Sequence, residues 1–250
     1  MSRNIDNVLI TGASSGLGLE MAKTFLAQGA NLVLNASNKH NLEKAAKRLG
    51  DGQDRIALVA GDISYRSTGQ EMVQVAKTRF GSVDVLVNNA GIFAPKPFLE
   101  VDEATLDRFL EVNLKGTYFT SQAAVAQMLR QSGGSIINIG TVLVDHAIGG
   151  LPITAPMSSK GGIHAFTRQL AAEFGKNNIR VNTIAPGIIK TPLHAKNGID
   201  DADSMAGLHL LNRVGDAGDI ADAALYLARA NFVTGQIINV DGGHTTGHYP

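Results

Sequence analysis

Short apolar runs rich in β-branched residues recur along the chain and alternate with longer segments of helical periodicity. Runs of this kind are typical of strands that are buried on both faces of a parallel sheet. There are seven, at residues 8–10, 31–34, 56–59, 83–87, 135–139, 180–184 and 236–240. Seven strands that alternate with helices predict a doubly wound α/β fold, in which a seven-stranded parallel sheet is flanked by helices on both faces.

Two of the intervening segments carry the clearest helical pattern. Residues 17–28 have a 3.6-residue apolar period and end at Gly29, a residue type that commonly terminates helices. A second helix is predicted from about residue 158 to residue 174, with one apolar stripe formed by Ile163, Phe166, Leu170 and Phe174. No linker, internal repeat or low-complexity tract interrupts the alternation, so residues 1–250 are expected to form a single domain.

Composition and charge exclude several classes of function but identify no functional residue. A chain of 250 residues suits one large α/β domain, and its 22 basic and 22 acidic residues give a formal net charge of zero. This balance gives no reason to expect binding to nucleic acid or to an anionic membrane. The absence of cysteine excludes disulfides, thiolate metal sites and a cysteine nucleophile, and no metal site is predicted. With no apolar signal region and no run of about 20 apolar residues, a cytoplasmic protein is expected.

A glycine-rich turn follows the first predicted strand directly, at residues 11–18. Glycines at this point permit a tight turn and let the backbone approach a pyrophosphate, while the following helix directs its N-terminal amides toward the negative charge. A turn without a ligand is the alternative, but its place between a strand and a helix is the one that dinucleotide binding requires. The predicted cofactor contacts are Gly12, Ser14, Ser15, Gly16, Leu17 and Gly18.

The spacing Thr-Gly-x-x-x-Gly-x-Gly resembles that of the short-chain dehydrogenase/reductase family, and further matches follow in family order over roughly residues 5–243. Residues 61–63 resemble the family's adenine contact, residues 88–91 its Asn-Asn-Ala-Gly turn, and residues 186–191 its nicotinamide loop. The resemblance implies a Rossmann-type fold and a nicotinamide-dependent oxidoreductase. It also implies cofactor contacts at Asp62, Ile63, Asn89, Ala90, Gly91, Lys160, Pro186, Gly187, Ile189 and Thr191.

The resemblance implies most of a catalytic set as well. Asn113 matches the family's asparagine that holds a relay water, Thr141 stands in the place of its serine, and Lys160 matches its Tyr-x-x-x-Lys lysine. The tyrosine, which is the family's proton donor, is absent, because Pro156 occupies its position. Proline has no proton to give and suits the first turn of a helix. Since a positioned general acid contributes about 10²–10⁴-fold, loss of the tyrosine weakens redox chemistry without making it impossible.

Three side chains are candidates to replace the missing acid. His146 follows Thr141 in a loop expected to line the substrate pocket, and Asp145 could orient it. His194 lies at the start of a lid predicted over residues 192–212. Tyr249 lies in the C-terminal tail, where it could reach a neighbouring subunit. A surface position is the ordinary explanation for His146 and a frayed terminus for Tyr249, whereas His194 is better placed to contact substrate or cofactor than to move a proton. His146 is the predicted acid, and a bound water is the alternative.

The second predicted strand ends without the carboxylate that would favour NAD. Ser37 and Asn38 could bind a phosphate oxygen and Lys39 could supply charge, so NADP(H) is favoured over NAD(H). Against this, Ser15 stands where NADP-preferring relatives often carry a basic residue, and Lys39 could equally be the solvated start of a helix.

The leading functional hypothesis is an oxidoreductase that interconverts an alcohol and a carbonyl in a small molecule, with a proton donor other than tyrosine. A catalytically silent NAD(P)-binding sensor or partner subunit is one alternative, and a non-redox lyase or isomerase on the same scaffold is another. The resemblance further implies a homotetramer, although the apolar residues of the 158–174 helix could equally belong to the core. The identity of the substrate has no readable signal in the sequence.

Overall fold

The computed structural model of the protein describes residues 5–50, 52–192 and 201–247. Within these residues seven parallel strands form one sheet in the order β3-β2-β1-β4-β5-β6-β7. The strands are β1 (Asn7–Ile10), β2 (Asn31–Ala36), β3 (Ile56–Ala60), β4 (Val85–Asn88), β5 (Gly134–Ile139), β6 (Ile179–Pro186) and β7 (Ile237–Val240). All seven predicted strands and their parallel arrangement are confirmed.

Helices connect the strands and cover both faces of the sheet. In the described residues they are α1 (Gly16–Ala27), α2 (Lys39–Arg48), α3 (Arg66–Phe80), α4 (Glu103–Phe109), α5 (Gly116–Met128), α6 (Thr154–Phe174) and α7 (Ala217–Arg229). A π-helical turn, Leu110–Lys115, joins α4 to α5. No described helix is both long enough and apolar enough to cross a membrane.

Two apolar cores form because successive side chains of each strand point to opposite faces. In β1, Val8 and Ile10 pack with α1, α2 and α7 on one face of the sheet. Leu9 lies between them in sequence and packs with α3, α5 and α6 on the other face. All three side chains are fully buried. Burial on both faces explains why the strands are apolar runs rather than alternating patterns.

Helix α6 begins at Thr154, four residues before its predicted start. Its first main-chain hydrogen bond of the i to i−4 type runs from Met157 N to Ile153 O, at 3.1 Å. Pro156, the third residue, therefore lies in the first turn, where amides have no partner within the helix. The prediction that Pro156 suits a helix start is confirmed. Of the predicted stripe, Ile163 is buried, whereas Phe166, Leu170 and Phe174 are half-buried.

The sheet order places β1 beside β4, from which the chain proceeds toward opposite edges of the sheet. In doubly wound folds the crevice at this reversal, outside the carboxyl ends of the strands, is where ligands bind. The glycine-rich turn after β1 and the Asn-Asn-Ala-Gly turn after β4 meet at this crevice.

Candidate active site

The glycine-rich turn is fastened to the turn after β4 by a compact set of hydrogen bonds. The Thr11 hydroxyl accepts from the backbone amides of Asn89 at 3.0 Å and Ala90 at 2.9 Å. In return, the Asn89 side-chain amide donates to the carbonyls of Thr11 at 2.9 Å and Gly12 at 3.1 Å. These contacts hold the two turns at one fixed separation.

The glycines of this turn are required by close approach and by backbone conformation. Gly12 has φ +65°, and a Cβ there would lie 2.8 Å from the Ala90 Cα. A Cβ on Gly18 would meet the Gly12 carbonyl and would lie 2.6 Å from the Asn89 side-chain nitrogen. Gly16, with φ +53°, lies under Thr191, so the loop after β6 approaches the start of α1.

The start of α1 has the properties that a pyrophosphate requires. Its N-cap residue, the exposed Ser15, makes no side-chain capping bond, and the first turn carries no acidic residue. The first-turn amides therefore remain available to an anion, and the helix dipole favours negative charge there. Together with the cradle formed by Gly12, Gly16 and Gly18, these features fit a bound dinucleotide.

At the predicted adenine end, Asp62 is held as a carboxylate. Burial raises the pKa of Asp62, but the Ser64 amide and the Arg108 guanidinium, each 2.9 Å from a carboxylate oxygen, outweigh burial and leave the pKa below its usual value. Buried Asn35 joins β2 to the end of β3 by donating to the carbonyls of Val59 and Gly61, both at 3.0 Å.

Of the three residues predicted to contact a phosphate at the end of β2, Asn38 and Lys39 already have partners within the protein. The Asn38 side-chain oxygen caps α2 by accepting from the Asn41 amide at 2.9 Å. Lys39 is exposed, and its Nζ lies 3.9 Å from a Glu43 carboxylate oxygen. Ser37 is exposed beside them. The described residues 35–39 place no carboxylate at this position.

Asn113 lies in the π-helical turn between α4 and α5, a type of turn that often occurs at functional sites. Its side-chain oxygen accepts from the Ile92 amide at 2.8 Å, and its side-chain nitrogen donates to the Ile92 carbonyl at 3.1 Å. The same nitrogen donates to the Ser159 hydroxyl at 2.9 Å. Asn113 thus connects the loop after β4 to α6, the helix that carries Lys160.

Lys160 extends from α6 to the end of β5, where its Nζ donates to the Ile139 carbonyl at 2.7 Å. A Cβ on Gly91 would lie 3.4 Å from this Nζ and 3.2 Å from the Asn113 side-chain oxygen, so both side chains converge on Gly91. Burial of the ammonium lowers the pKa of Lys160 to about 8. The Lys160 ammonium therefore gives up its proton more readily than the ammonium of an exposed lysine.

Thr141 and Pro156 occupy the remaining positions of the predicted catalytic set. Thr141 is half-buried two residues beyond β5, and its hydroxyl accepts from the Leu143 amide at 3.3 Å. Pro156 is buried, and its carbonyl accepts from the Ser159 hydroxyl at 2.7 Å. The proline side chain at position 156 has no proton to donate.

His146 is half-buried, and its ring lies against a second histidine. The ring centroids of His146 and His244 are 5.3 Å apart, with the planes at 80°. Asp145, which could have oriented His146, lies instead 3.4 Å from the Nδ1 of His164. At this distance the contact is longer than a hydrogen bond, and the buried Nδ1 of His164 has no hydrogen-bond partner among the described residues.

Sequence reasoning missed three buried histidines: His164, His209 and His244. His164 stands four residues after Lys160, so helical spacing could have placed it on the same face of α6. Burial lowers the pKa of His164, outweighing the opposite effect of Asp145. His209 and His244 carried no comparable signal, because they belong to segments without periodicity.

The remaining candidates lie outside the described residues. His194 and Tyr249 are not described, nor are residues 193–200 of the predicted lid. Within the described ranges, no group of three or more histidine, aspartate or glutamate side chains is arranged to hold a metal ion.

Known proteins resemble both the sequence and the fold. A family model described as enoyl-(acyl carrier protein) reductase matches residues 12–245. A Brucella melitensis crystal structure, described as a short-chain dehydrogenase/reductase of the glucose/ribitol dehydrogenase type, superposes with a TM-score of 0.91. The two chains are 31% identical, and the match covers 98% of this chain and 99% of that one. The chain belongs to the short-chain dehydrogenase/reductase family. The resemblance found in its motifs is thereby confirmed.

Curated short-chain dehydrogenases/reductases extend the comparison. L-rhamnose-1-dehydrogenase of Scheffersomyces stipitis is 37% identical, with 94% of this chain and 94% of that protein covered. A 3-oxoacyl-(acyl carrier protein) reductase of Thermotoga maritima is 33% identical, with 94% of this chain and 96% of that protein covered. Galactitol 2-dehydrogenase of Cereibacter sphaeroides is 35% identical, with 94% and 93% covered. This short-chain dehydrogenase/reductase is accordingly an oxidoreductase of a family that uses NAD(P)(H).

Proposed function

We propose that the protein interconverts an alcohol and a carbonyl in a small molecule, with NAD(P)(H) as the redox partner and a proton donor other than tyrosine. The observation that carries the proposal is the convergence of Asn113 and Lys160 on Gly91, beside the glycine cradle. Relatives named as sugar, polyol and oxoacyl oxidoreductases support the reaction class.

The cofactor would lie along the carboxyl ends of β1 to β4, held by the glycine-rich turn, Asp62, Ile63 and residues 89–91, with residues 186–191 at its nicotinamide end. When bound, it supplies the hydride that reduces a carbonyl carbon or accepts the hydride from an alcohol. The chain's own tasks are to orient the reactants, stabilise the developing oxyanion and move one proton.

Thr141 and Lys160 are proposed to orient the reactants and to stabilise negative charge on the substrate oxygen. The Thr141 hydroxyl, half-buried beyond the end of β5, donates a hydrogen bond to the substrate oxygen. The Lys160 ammonium would hold the nicotinamide ribose and would stabilise negative charge on that oxygen. The Asn113 side chain keeps α6 and the loop after β4 together, which fixes where this ammonium stands.

His146 is the proposed proton donor. It lies five residues after Thr141 on the loop that follows β5, and an imidazole exchanges a proton readily near neutral pH. During reduction its N–H proton would pass to the substrate oxygen, leaving a neutral imidazole. A donor of this kind supplies about 10²–10⁴-fold, most of what the missing phenol would contribute.

NADP(H) is the proposed preference over NAD(H), supported by the lack of a carboxylate among residues 35–39. Since the Asn38 oxygen is engaged in its cap, Ser37 and Lys39 are the remaining groups for a 2′-phosphate. A homotetramer is proposed from the family resemblance and from large apolar side chains left exposed on one chain, Phe98, Leu99, Tyr226 and Phe232. The lid over residues 192–212 stays a prediction.

Pro156 favours one competing function, a cofactor-binding sensor or partner subunit without turnover, because it removes the family's proton donor. Restoring a phenol distinguishes the two. The Pro156→Tyr variant should show faster carbonyl reduction if the remaining site is complete, and Pro156→Phe controls for the added bulk. An inactive wild type with an active Pro156→Tyr variant would favour the sensor.

The test of the proposed function is turnover of NADPH with a panel of aldoses, ketoses and 3-oxoacyl thioesters, and of NADP with the matching polyols. We expect turnover by the wild type and a fall in kcat of about 10²-fold or more in His146→Ala, since a general acid is lost. Full activity of His146→Ala excludes it as the donor. Absence of turnover by the wild type and by Pro156→Tyr, despite cofactor binding, contradicts the redox function.

A further inference from the structure

The loop after β6, residues 186–191, is held in place through three of its own amides. The Gly187 and Lys190 amides donate to main-chain carbonyls of neighbouring segments, at 3.1 Å and 2.8 Å. The Ile188 amide, which lies between them in sequence, donates instead to a side chain, the Nε2 of His209, at 3.2 Å. The imidazole of His209 is therefore the side-chain support of a loop that is otherwise held by backbone.

The Ile189 amide lies between two of these supported positions. It donates to no group among the described residues, and the Ile189 side chain is 6% exposed and packs into the core on the α1 side of the sheet. Because peptide units are planar, holding the amides before and after Ile189 also restricts the direction of its own N–H. The loop thus presents one unused donor, which suits an acceptor such as the carboxamide oxygen of a nicotinamide.

His209 is fixed in a close-fitting position beside this loop. Its side chain is 2% exposed, and a Cβ on Gly242, which has φ +58°, would lie 3.3 Å from the His209 Cβ. The ring of His244 meets that of His209 edge-on, with centroids 5.3 Å apart and planes at 81°. The neighbouring Leu211 amide donates to the Gly242 carbonyl at 3.0 Å. Both the ring and the main chain beside it are therefore held.

Packing alone does not explain a histidine at this position. Since Nε2 accepts from Ile188, the imidazole is neutral and carries its proton on Nδ1. This Nδ1 is buried and has no hydrogen-bond partner among the described residues. A buried donor without a partner disfavours the fold, and an apolar side chain of similar size would avoid that cost. The acceptor that His209 offers to Ile188 is what an apolar side chain could not provide.

We propose that His209 is a positioning residue for the nicotinamide end of the cofactor. The inference rests on the proposed function, in which residues 186–191 hold that end. His209 acts through the Ile188 amide: it fixes the backbone before Ile189, so that the unused Ile189 amide keeps one direction and can hold the carboxamide. A nicotinamide held in this way keeps the orientation that hydride transfer requires. Without the acceptor, the loop holds the nicotinamide less firmly.

Binding measurements test this role without substrate. His209→Leu keeps most of the bulk and removes the acceptor, whereas the side-chain oxygen of His209→Gln can reach the place of Nε2. In isothermal titration calorimetry, the Kd for NADPH should rise about fivefold in His209→Leu and stay within about twofold of the wild type in His209→Gln. The control ligand is 2′-phospho-ADP-ribose, which lacks the nicotinamide, and its Kd should change in neither variant.

The emission lifetime of bound NADPH gives a second measurement, because it depends on how firmly the nicotinamide ring is held. It should be shorter in His209→Leu than in the wild type and should be restored in His209→Gln. If His209→Leu does not fold, His209→Asn replaces it with the same expectations, because its shorter side chain cannot reach the Ile188 amide. An equal loss of affinity for both ligands, or a His209→Gln variant as weak as His209→Leu, overturns the positioning role.

Kinetics separate this inference from the function on which it rests. With a substrate that the wild type reduces, His209→Leu should lower kcat about tenfold, because the hydride donor is less well oriented, and should leave the KM for that substrate unchanged. Full kcat and an unchanged Kd for NADPH in His209→Leu overturn the role of His209 alone. A wild type that binds no NADPH overturns the proposed function and this inference together. A wild type that binds NADPH without turnover contradicts only the redox function, and the binding measurements still decide the role of His209.

Discussion

Lys160 and His164 stand one helical turn apart on α6 and meet consecutive residues at the end of β5. Lys160 Nζ bonds to the Ile139 carbonyl, and His164 Nε2 lies against Gly140, where a Cβ would be 2.5 Å from it. Burial lowers the pKa of both side chains, and the charge of Lys160 lowers that of His164 further. A charge on Lys160 therefore disfavours a second charge on His164.

His164 should make the fold sensitive to acid. Because its pKa lies below the ordinary value of 6.5 in the folded state, the unfolded chain binds a proton first as the pH falls. The free energy of unfolding contributed by His164 is therefore fully present above pH 6.5 and is lost as the pH falls through the folded-state pKa. We expect the wild type to lose more stability than His164→Gln between pH 7.5 and pH 5, measured by urea unfolding.

The exposed His40→Gln variant is the control for this prediction and should follow the wild type at every pH. Parallel stability curves for the wild type and His164→Gln would show that His164 is not the group that titrates.

At the scale of elements, the cofactor crevice depends on two turns that touch. The turn between β1 and α1 lies against the turn after β4, and the Thr11 hydroxyl and the Asn89 side chain bridge them. Both turns directly follow buried strands, so neither turn can move away from the other unless the sheet moves as well. A side chain at Gly12 would enter this contact directly.

Gly12→Ala should destabilise the protein by about 2–4 kcal/mol, from overpacking against backbone and from the left-handed conformation. Its Cβ would lie 2.8 Å from the Ala90 Cα, at φ +65°. Gly175→Ala is the matched control, because Gly175 has φ −56° and open space around it. Chemical denaturation measures both, and cofactor affinity should fall only in Gly12→Ala. Equal unfolding midpoints for Gly12→Ala and the wild type would contradict the close contact.

At the scale of the molecule, the cofactor crevice is connected to both apolar cores, and we therefore expect the crevice and the cores to unfold together. Strand β1 contributes Val8 and Ile10 to one core and Leu9 to the other, and the glycine-rich turn begins directly after it. A ligand that binds the crevice of the folded state alone should therefore stabilise the whole fold.

NADPH should raise the melting temperature more than NADH at the same concentration, because residues 35–39 offer no carboxylate to repel a 2′-phosphate. At one hundred times its Kd, a cofactor contributes about 2.7 kcal/mol. Differential scanning fluorimetry with both cofactors measures this, and adenosine alone serves as a control for the adenine end. Equal shifts for NADPH and NADH would remove the proposed NADP preference.

The sequence by itself determined the seven strands, the helices between them, the glycine-rich turn and the family. Each of these depends on local periodicity or on motifs of contiguous residues, which can be recognised without knowing the tertiary structure. The position of Pro156 at a helix start could be predicted for the same reason, because the fixed φ and the missing N–H of proline affect only the hydrogen bonds of one helical turn.

Only the tertiary structure decided which side chains meet. The ring contacts of His244 with His146 and His209, the contact of Asp145 with His164 and the convergence of Asn113 and Lys160 on Gly91 each join residues far apart in the chain. Such contacts depend on strand order and crossover geometry, which bring the loop after β5 and the segment after β7 together. No local pattern encodes that proximity, and for this reason the sequence did not show that His209 and His244 lie near the loop after β5.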